Sequence, residues 1–238
     1  MTTTQNTTTG LTTAADPNAV PIKNLDVASF QSRMRPALDQ FVADHQNILQ
    51  GKTIDKNQAV QDMFSLVHGN YALESLSAPA AAPAGALASG TSSCPVAIAT
   101  CAVDCLAVLL QVAGVPSSVT RTAARAVIDT VPAEVLTGWQ QLVRNVATAD
   151  STSSKAKAIF ALVKSIYTAT GIRQILGAIE HDMAWYEWVL MGTVVTAQLT
   201  IWFASDGLAA IAEIALLGAV LAQTVADAAL AVKVCGQT

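Results

Sequence analysis

Residues 188–204 read WVLMGTVVTAQLTIWFA, and residues 207–226 read GLAAIAEIALLGAVLAQTVA. Both segments are apolar and rich in helix-forming residues, and only Ser205–Asp206 separates them. Each segment is close to the roughly 20 residues that a membrane-spanning helix needs. The pair predicts an apolar helical hairpin over residues 184–234, placed at the centre of an all-α fold.

The charges in and around this hairpin are all negative. No lysine or arginine occurs from residue 174 to residue 232. An acid at the centre of an inserting helix costs about +2.5 to +3.5 kcal/mol, whereas each Leu, Ile, Val or Phe contributes about −0.3 to −0.6 kcal/mol. The apolar residues of 207–226 therefore just offset Glu213, and we expect insertion only where low pH or a partner removes the charge. The acids of the stretch are Glu180, Asp182, Glu187, Asp206, Glu213 and Asp227.

The candidate membrane-insertion residues are three tryptophans and two acids. The tryptophans lie near the ends of the first segment, where interfacial aromatic residues sit in membrane helices. The acids are fourteen positions apart on the second segment, which predicts one narrow polar stripe. Tryptophan at a helix end and a narrow polar stripe are also typical of a helix buried in a water-soluble bundle. The five residues are Trp185, Trp188, Trp202, Glu213 and Asp227.

The hairpin pattern has a counterpart among toxins. Gly218, Ala222 and Ala226 form a line of small residues that suits close helix contact in lipid. A helical domain that hides an apolar hairpin near its C-terminus resembles the pore-forming domains of colicins and related α-helical toxins. The resemblance covers residues 95–234 and departs from those domains at Glu213. It implies a protein that stays in water until it is triggered, and it assigns no functional residue.

Composition divides the chain into four regions. Residues 1–24 form a Thr-rich tail without a hydrophobic pattern, predicted to be disordered. Residues 25–76 predict a small N-terminal helical module, and residues 77–93 are an Ala/Pro/Ser linker. Residues 94–238 predict a helical bundle of about five to six helices, because apolar residues recur at helical spacing and strand patterns are nearly absent.

Composition also restricts the class of protein. Hydrophobic residues make up 52% of the chain and charged residues 13%, so most of the chain must bury apolar surface. The formal net charge of −4 argues against a nucleic-acid partner, which needs a basic surface. The N-terminus shows no classical signal peptide, which leaves localisation open and allows export by a non-classical route.

The four cysteines predict a disulfide that involves Cys235. A bond from Cys94, Cys101 or Cys105 to Cys235 would join the first and last helices of the bundle. The alternative is that all four are buried free thiols. Their spacing is not that of a zinc site.

No motif in the sequence points to catalysis. The histidines form no HExxH or ExxH pair, and neither a GxSxG sequence nor a phosphate-binding loop occurs. The polar run over residues 180–182 (EHD) is expected on the surface, at a helix start or bend. We therefore predict no catalytic site, no metal site, no cofactor and no enzyme activity.

Two functional hypotheses follow. The first is a water-soluble, membrane-active α-helical protein of the pore-forming kind, with a lipid membrane as its conditional partner. The second is a soluble helical-bundle module that binds a protein partner or forms homo-oligomers, with the hairpin as its core.

Overall fold

The computed structural model describes residues 20–73, 93–181 and 183–236, and these residues form helices and no strands. The all-α prediction is therefore confirmed for the described part of the chain. Eleven α-helices follow a short 3-10 turn at Ile22–Asn24. The helices are α1 Val27–Asp44, α2 Lys56–Val67, α3 Cys94–Val112, α4 Ser117–Ile128, α5 Ala133–Gly138, α6 Gln140–Thr148, α7 Thr152–Thr170, α8 Ile172–Glu180, α9 Trp185–Ala204, α10 Leu208–Ala215 and α11 Gly218–Cys235.

Local signals set the start of both N-terminal helices. The Asp26 side chain accepts a hydrogen bond from the Ser29 backbone N–H at 2.8 Å and so caps α1. Asp55 caps α2 in the same way, accepting from two backbone N–H groups. Such caps satisfy backbone donors that have no partner within the helix. Helix α1 runs on past Pro36, which lies inside it.

Helix α3 is the centre of the bundle. It is apolar on nearly every face and packs against α4, α11 and α7. Its alanine and cysteine side chains let these neighbours approach closely, and its leucines fill the space between them. A helix that is hydrophobic all round needs such burial on several sides.

The described residues after position 93 form nine helices, compared with the five to six predicted. Three breaks account for the difference. Trp139 separates α5 from α6, Gly171 with a φ of 76° separates α7 from α8, and residues 216–217 separate α10 from α11. Apolar residues continue through the last break, so hydrophobic periodicity does not reveal it.

The break at residues 216–217 changes the predicted hairpin. The turn at Ser205–Gly207 does reverse the chain, but the following helix, α10, has only 8 residues. Helix α10 packs mainly against α7, whereas α11 packs mainly against α3 and α6. The single polar stripe predicted for Glu213 and Asp227 is therefore wrong, because the two acids belong to different helices.

The N-terminal helices share a core with α9. The Phe41 and Trp188 rings lie 5.0 Å apart, and the Tyr186 hydroxyl donates to Asp62 Oδ2 at 2.8 Å. Within the predicted tail, Ile22 is 1% exposed, while residues 1–19 lie outside the described residues. The predicted linker also lies outside them, apart from its last residue.

Candidate functional site

Among the described residues, three helices are long and apolar enough to cross a membrane: α3, α9 and α11. The sequence predicts α9 and the segment after it as the inserting pair and does not single out α3. The three helices differ in burial, with 61% of α3, 67% of α9 and 28% of α11 buried. Helix α11 therefore presents much of an apolar face to solvent.

The first polar site in this apolar region surrounds Glu213. Its carboxyl is 4% exposed, and Oε1 accepts a hydrogen bond from Gln198 Nε2 on α9 at 3.3 Å. Lys23 Nζ lies 3.3 Å from Oε2, within ion-pair range but outside hydrogen-bond geometry. The Trp202 indole faces the same carboxyl, and its N–H has no hydrogen-bond partner among the described residues.

The chain before α1 covers this site as a strap, which we define as residues 20–24. The Ile22 backbone N–H donates to Gln198 Oε1 at 3.4 Å, and the Ile22 side chain is buried. Arg33 on α1 donates to the carbonyl of Val20 at 2.8 Å. The strap thus connects α1 to α9 and α10 through the buried Ile22 side chain and three polar contacts, the third being the ion pair between Lys23 and Glu213 on α10.

A cavity of about 200 Å³ borders the Glu213 carboxyl. Its walls are mostly aliphatic, and its polar groups come from the strap, α3, α9 and α10. The lining residues are Ile22, Lys23, Val67, Gln111, Val112, Ala113, Gly114, Val194, Gln198, Glu213, Leu216 and Leu217.

Burial raises the pKa of Glu213 above the usual glutamate value of 4.5. The ammonium of Lys23 and the hydrogen bond from Gln198 act in the opposite direction but do not outweigh the loss of hydration. The folded protein therefore binds a proton at Glu213 more tightly than the unfolded chain does. By linkage, this residue contributes stability at low pH that is lost as pH rises above about 4.5.

We expect Glu213→Gln to remove this pH dependence. The free energy of unfolding of the wild type, measured relative to that of the variant, should decrease as pH rises from 4.5. Denaturant unfolding of both proteins at a series of pH values measures the difference. A wild type that gains stability relative to Glu213→Gln over this range would show that Lys23 outweighs burial.

The second polar site joins α3, α4 and α11. Asp104 on α3 is 6% exposed and forms an ion pair with Arg121 on α4. The Asp227 carboxyl on α11 lies within hydrogen-bonding reach of Asp104, and Gln223 donates to Asp227 at 3.0 Å. Two carboxyl groups this close are most stable when they share one proton.

The three predicted insertion tryptophans occupy different environments. Trp185 is 37% exposed at the start of α9, with Lys52 Nζ lying 5.3 Å from its ring centroid. Trp188 is buried against Phe41, and its indole N–H donates to the carbonyl of Leu176 at 3.3 Å. Trp202 is fully buried beside Glu213. Two of the three are therefore core residues in this fold.

The structure brings only part of the predicted site together. Trp202 and Glu213 are neighbours, whereas Trp185 lies at the start of α9 and Asp227 lies against α3. The other polar partners, Lys23, Gln198, Asp104 and Arg121, were not predicted. Of these, Asp104 alone carried a signal in the sequence, as a single acid within an apolar helical segment.

A disulfide joins Cys94 to Cys235, with Cα atoms 4.7 Å apart. The bond links the first residue of α3 to the last residue of α11. Cys101 and Cys105 are free, buried thiols on α3. Among the described residues, no group of three or more His, Cys, Asp or Glu side chains is arranged to hold a metal ion.

Comparison with protein-family models, curated proteins and solved structures finds no match to this chain.

Proposed function

We propose that the protein is a membrane-active α-helical protein of the pore-forming kind, folded in water until acid or a partner triggers insertion. The observation that carries this proposal is the presence of three helices of membrane-spanning length and composition in one bundle. A helix that is hydrophobic all round is either buried in a core or spans a membrane, and α11, of which only 28% is buried, is not buried as a core helix.

Acids within or next to these helices would keep them out of lipid. Asp104 and Asp227 lie within α3 and α11, and Glu213 lies between α9 and α11 in the chain. An ionised acid at the centre of a membrane costs about +2.5 to +3.5 kcal/mol, which protonation removes. Low pH therefore favours insertion because it lowers the free energy of the membrane-inserted state. It does so even though protonation of Glu213 also stabilises the water-soluble fold.

Leakage from vesicles tests the proposal. We expect the protein to release dye from phosphatidylcholine–phosphatidylglycerol vesicles increasingly as pH falls, because neutral carboxyl groups enter lipid more readily. Asp227→Asn, which removes a charge from the middle of α11, should release dye at a higher pH than the wild type.

The matched control for this variant is Asp206→Asn, which removes an acid that is 93% exposed between α9 and α10. It should leave the pH of leakage close to that of the wild type. Absence of leakage at every pH for all three proteins would exclude the proposal.

The exposed face of α11 favours a second candidate function, self-association of a soluble bundle. Leu216 is 77% exposed and Leu230 is 59% exposed, and the small residues Gly218, Ala222 and Ala226 are also exposed. Leu216 lies in the break just before α11, whereas the exposed Ala219, Ala226 and Leu230 are spaced seven and four residues apart and so lie on one side of α11. Absence of vesicle leakage at every pH, together with a single discrete oligomer in light scattering, would support this second function.

A further inference from the structure

We propose that the element that crosses the membrane is the pair α3 and α11, closed by the Cys94–Cys235 disulfide. This inference rests on the membrane activity proposed above. It replaces the hairpin of consecutive segments that the sequence predicts with two helices that are far apart in the chain.

Helix length distinguishes the α3–α11 pair from the predicted hairpin of consecutive segments. Helix α3 has 19 residues and α11 has 18, which at 1.5 Å per residue is about 27–28 Å, close to the thickness of a bilayer core of roughly 30 Å. Helix α10 has 8 residues, about 12 Å, and cannot span that distance. The second arm of the predicted hairpin is therefore too short, whereas both arms of the α3–α11 pair are long enough.

The disulfide makes this pair a single antiparallel unit. Cys94 begins α3 and Cys235 ends α11, so the bond joins the two helices at one end. The contact between Asp104 and Asp227 lies about 15 Å from that end along α3 and about 12 Å along α11. The helices therefore run in opposite directions and remain in contact along half their length or more.

The acids of the pair face each other and not its outer surface. Asp104 and Asp227 meet near the middle of the two helices, where charge would be costly on a lipid-facing side. The one cation, Lys233, lies in the last turn of α11, next to the disulfide. A lysine at that position can reach the membrane surface.

The outer face of α11 is largely apolar, with Gln223 and Lys233 as its exposed polar residues. Ala219, Ala226 and Leu230 are exposed in the bundle, and only 28% of the helix is buried. Arg121 is the ion-pair partner that ties Asp104 to α4. Release of that ion pair frees α3 from its one charged contact on α4.

The positions of the tryptophans allow a direct test. Trp185, Trp188 and Trp202 lie on α9 and Trp139 lies between α5 and α6, whereas α3 and α11 contain none. The signal of an added tryptophan is therefore the change in quenching relative to the wild type, whose four native tryptophans are the background. Vesicles of phosphatidylcholine and phosphatidylglycerol with brominated acyl chains quench tryptophans that enter the bilayer. Added reporters at exposed positions, Val96→Trp on α3 and Leu230→Trp on α11, would report on the proposed pair. Gln141→Trp, at an exposed position on α6, is the matched control.

At a pH that causes leakage, we expect the reporters at positions 96 and 230 to lose fluorescence and the one at position 141 to retain it. Leakage accompanied by quenching of the native tryptophans on α9, with both reporters unquenched, would overturn the α3–α11 pair and leave the proposed function standing. Absence of both leakage and quenching would overturn the proposed function, and the α3–α11 pair with it.

Discussion

Replacing both Cys94 and Cys235 by serine is expected to lower the free energy of unfolding by about 4 to 5 kcal/mol. The disulfide closes a loop with a sequence separation of 141 residues, so its loss greatly increases the conformational freedom of the unfolded chain. This is a large part of the roughly 5–15 kcal/mol that stabilises a typical domain. Chemical denaturation followed by circular dichroism measures the change.

The single variants Cys94→Ser and Cys235→Ser provide an internal check. Each already removes the bond, so each should have nearly the full effect of the double variant, and their effects should not add. Cys101→Ala is the matched control, because Cys101 is a buried free thiol on the same helix. It should cost much less, since it removes one buried sulfur atom and no cross-link. A double variant as stable as the wild type would show that the cross-link does not stabilise the fold.

Gly207→Ala is expected to destabilise the fold by about 3 kcal/mol, through strain and overpacking together. Gly207 has a φ of 80°, a left-handed conformation that costs an L-residue about 1–2 kcal/mol. A Cβ atom at this position would lie 2.0 Å from Phe160 Cε1, so the ring on α7 must move. Gly207 therefore lets α10 pack closely against α7. The free energy of unfolding, measured by urea titration, gives the cost.

The variant Gly69→Ala distinguishes the cost of backbone strain from the cost of overpacking. Gly69 has a φ of 73°, and a Cβ atom there would have no heavy atom within 4 Å. Its variant should show only the conformational cost, about 1–2 kcal/mol. Gly207→Ala combined with Phe160→Leu should recover part of the overpacking cost, because a smaller side chain makes room. Equal losses for Gly69→Ala and Gly207→Ala would contradict the contact with Phe160.

Local patterns predicted a large part of the fold. The helical spacing of apolar residues and the near absence of strand patterns predict an all-α fold, and the structure has helices and no strands in the part it describes. The caps at Asp26 and Asp55 also depend on hydrogen bonds within three residues along the chain. The break at residues 216–217 is one reason why the structure has more helices than predicted, because it falls within uninterrupted apolar sequence. That segment ends α10 where it packs on α7 and begins α11 where it packs on α3.

The polar sites depend on contacts that are distant in sequence. Lys23 and Glu213 are brought together only because the strap lies across α9 and α10. Asp104 meets Asp227 only because α11 returns to pack on α3. No spacing rule within one helix predicts either pair, since side chains on one helix interact three or four residues apart.

The amino-acid sequence alone determined that this protein is helical, apolar and poor in charge, because helix formation and hydrophobic burial depend on residue type and short-range periodicity. Only the tertiary structure decided that Cys235 bonds to Cys94, which acids are buried together, and that α3 and α11 form a closed antiparallel pair. Helices with similar apolar surfaces can pack in many arrangements of similar hydrophobic energy. The arrangement is selected by close packing and polar pairing across the whole chain.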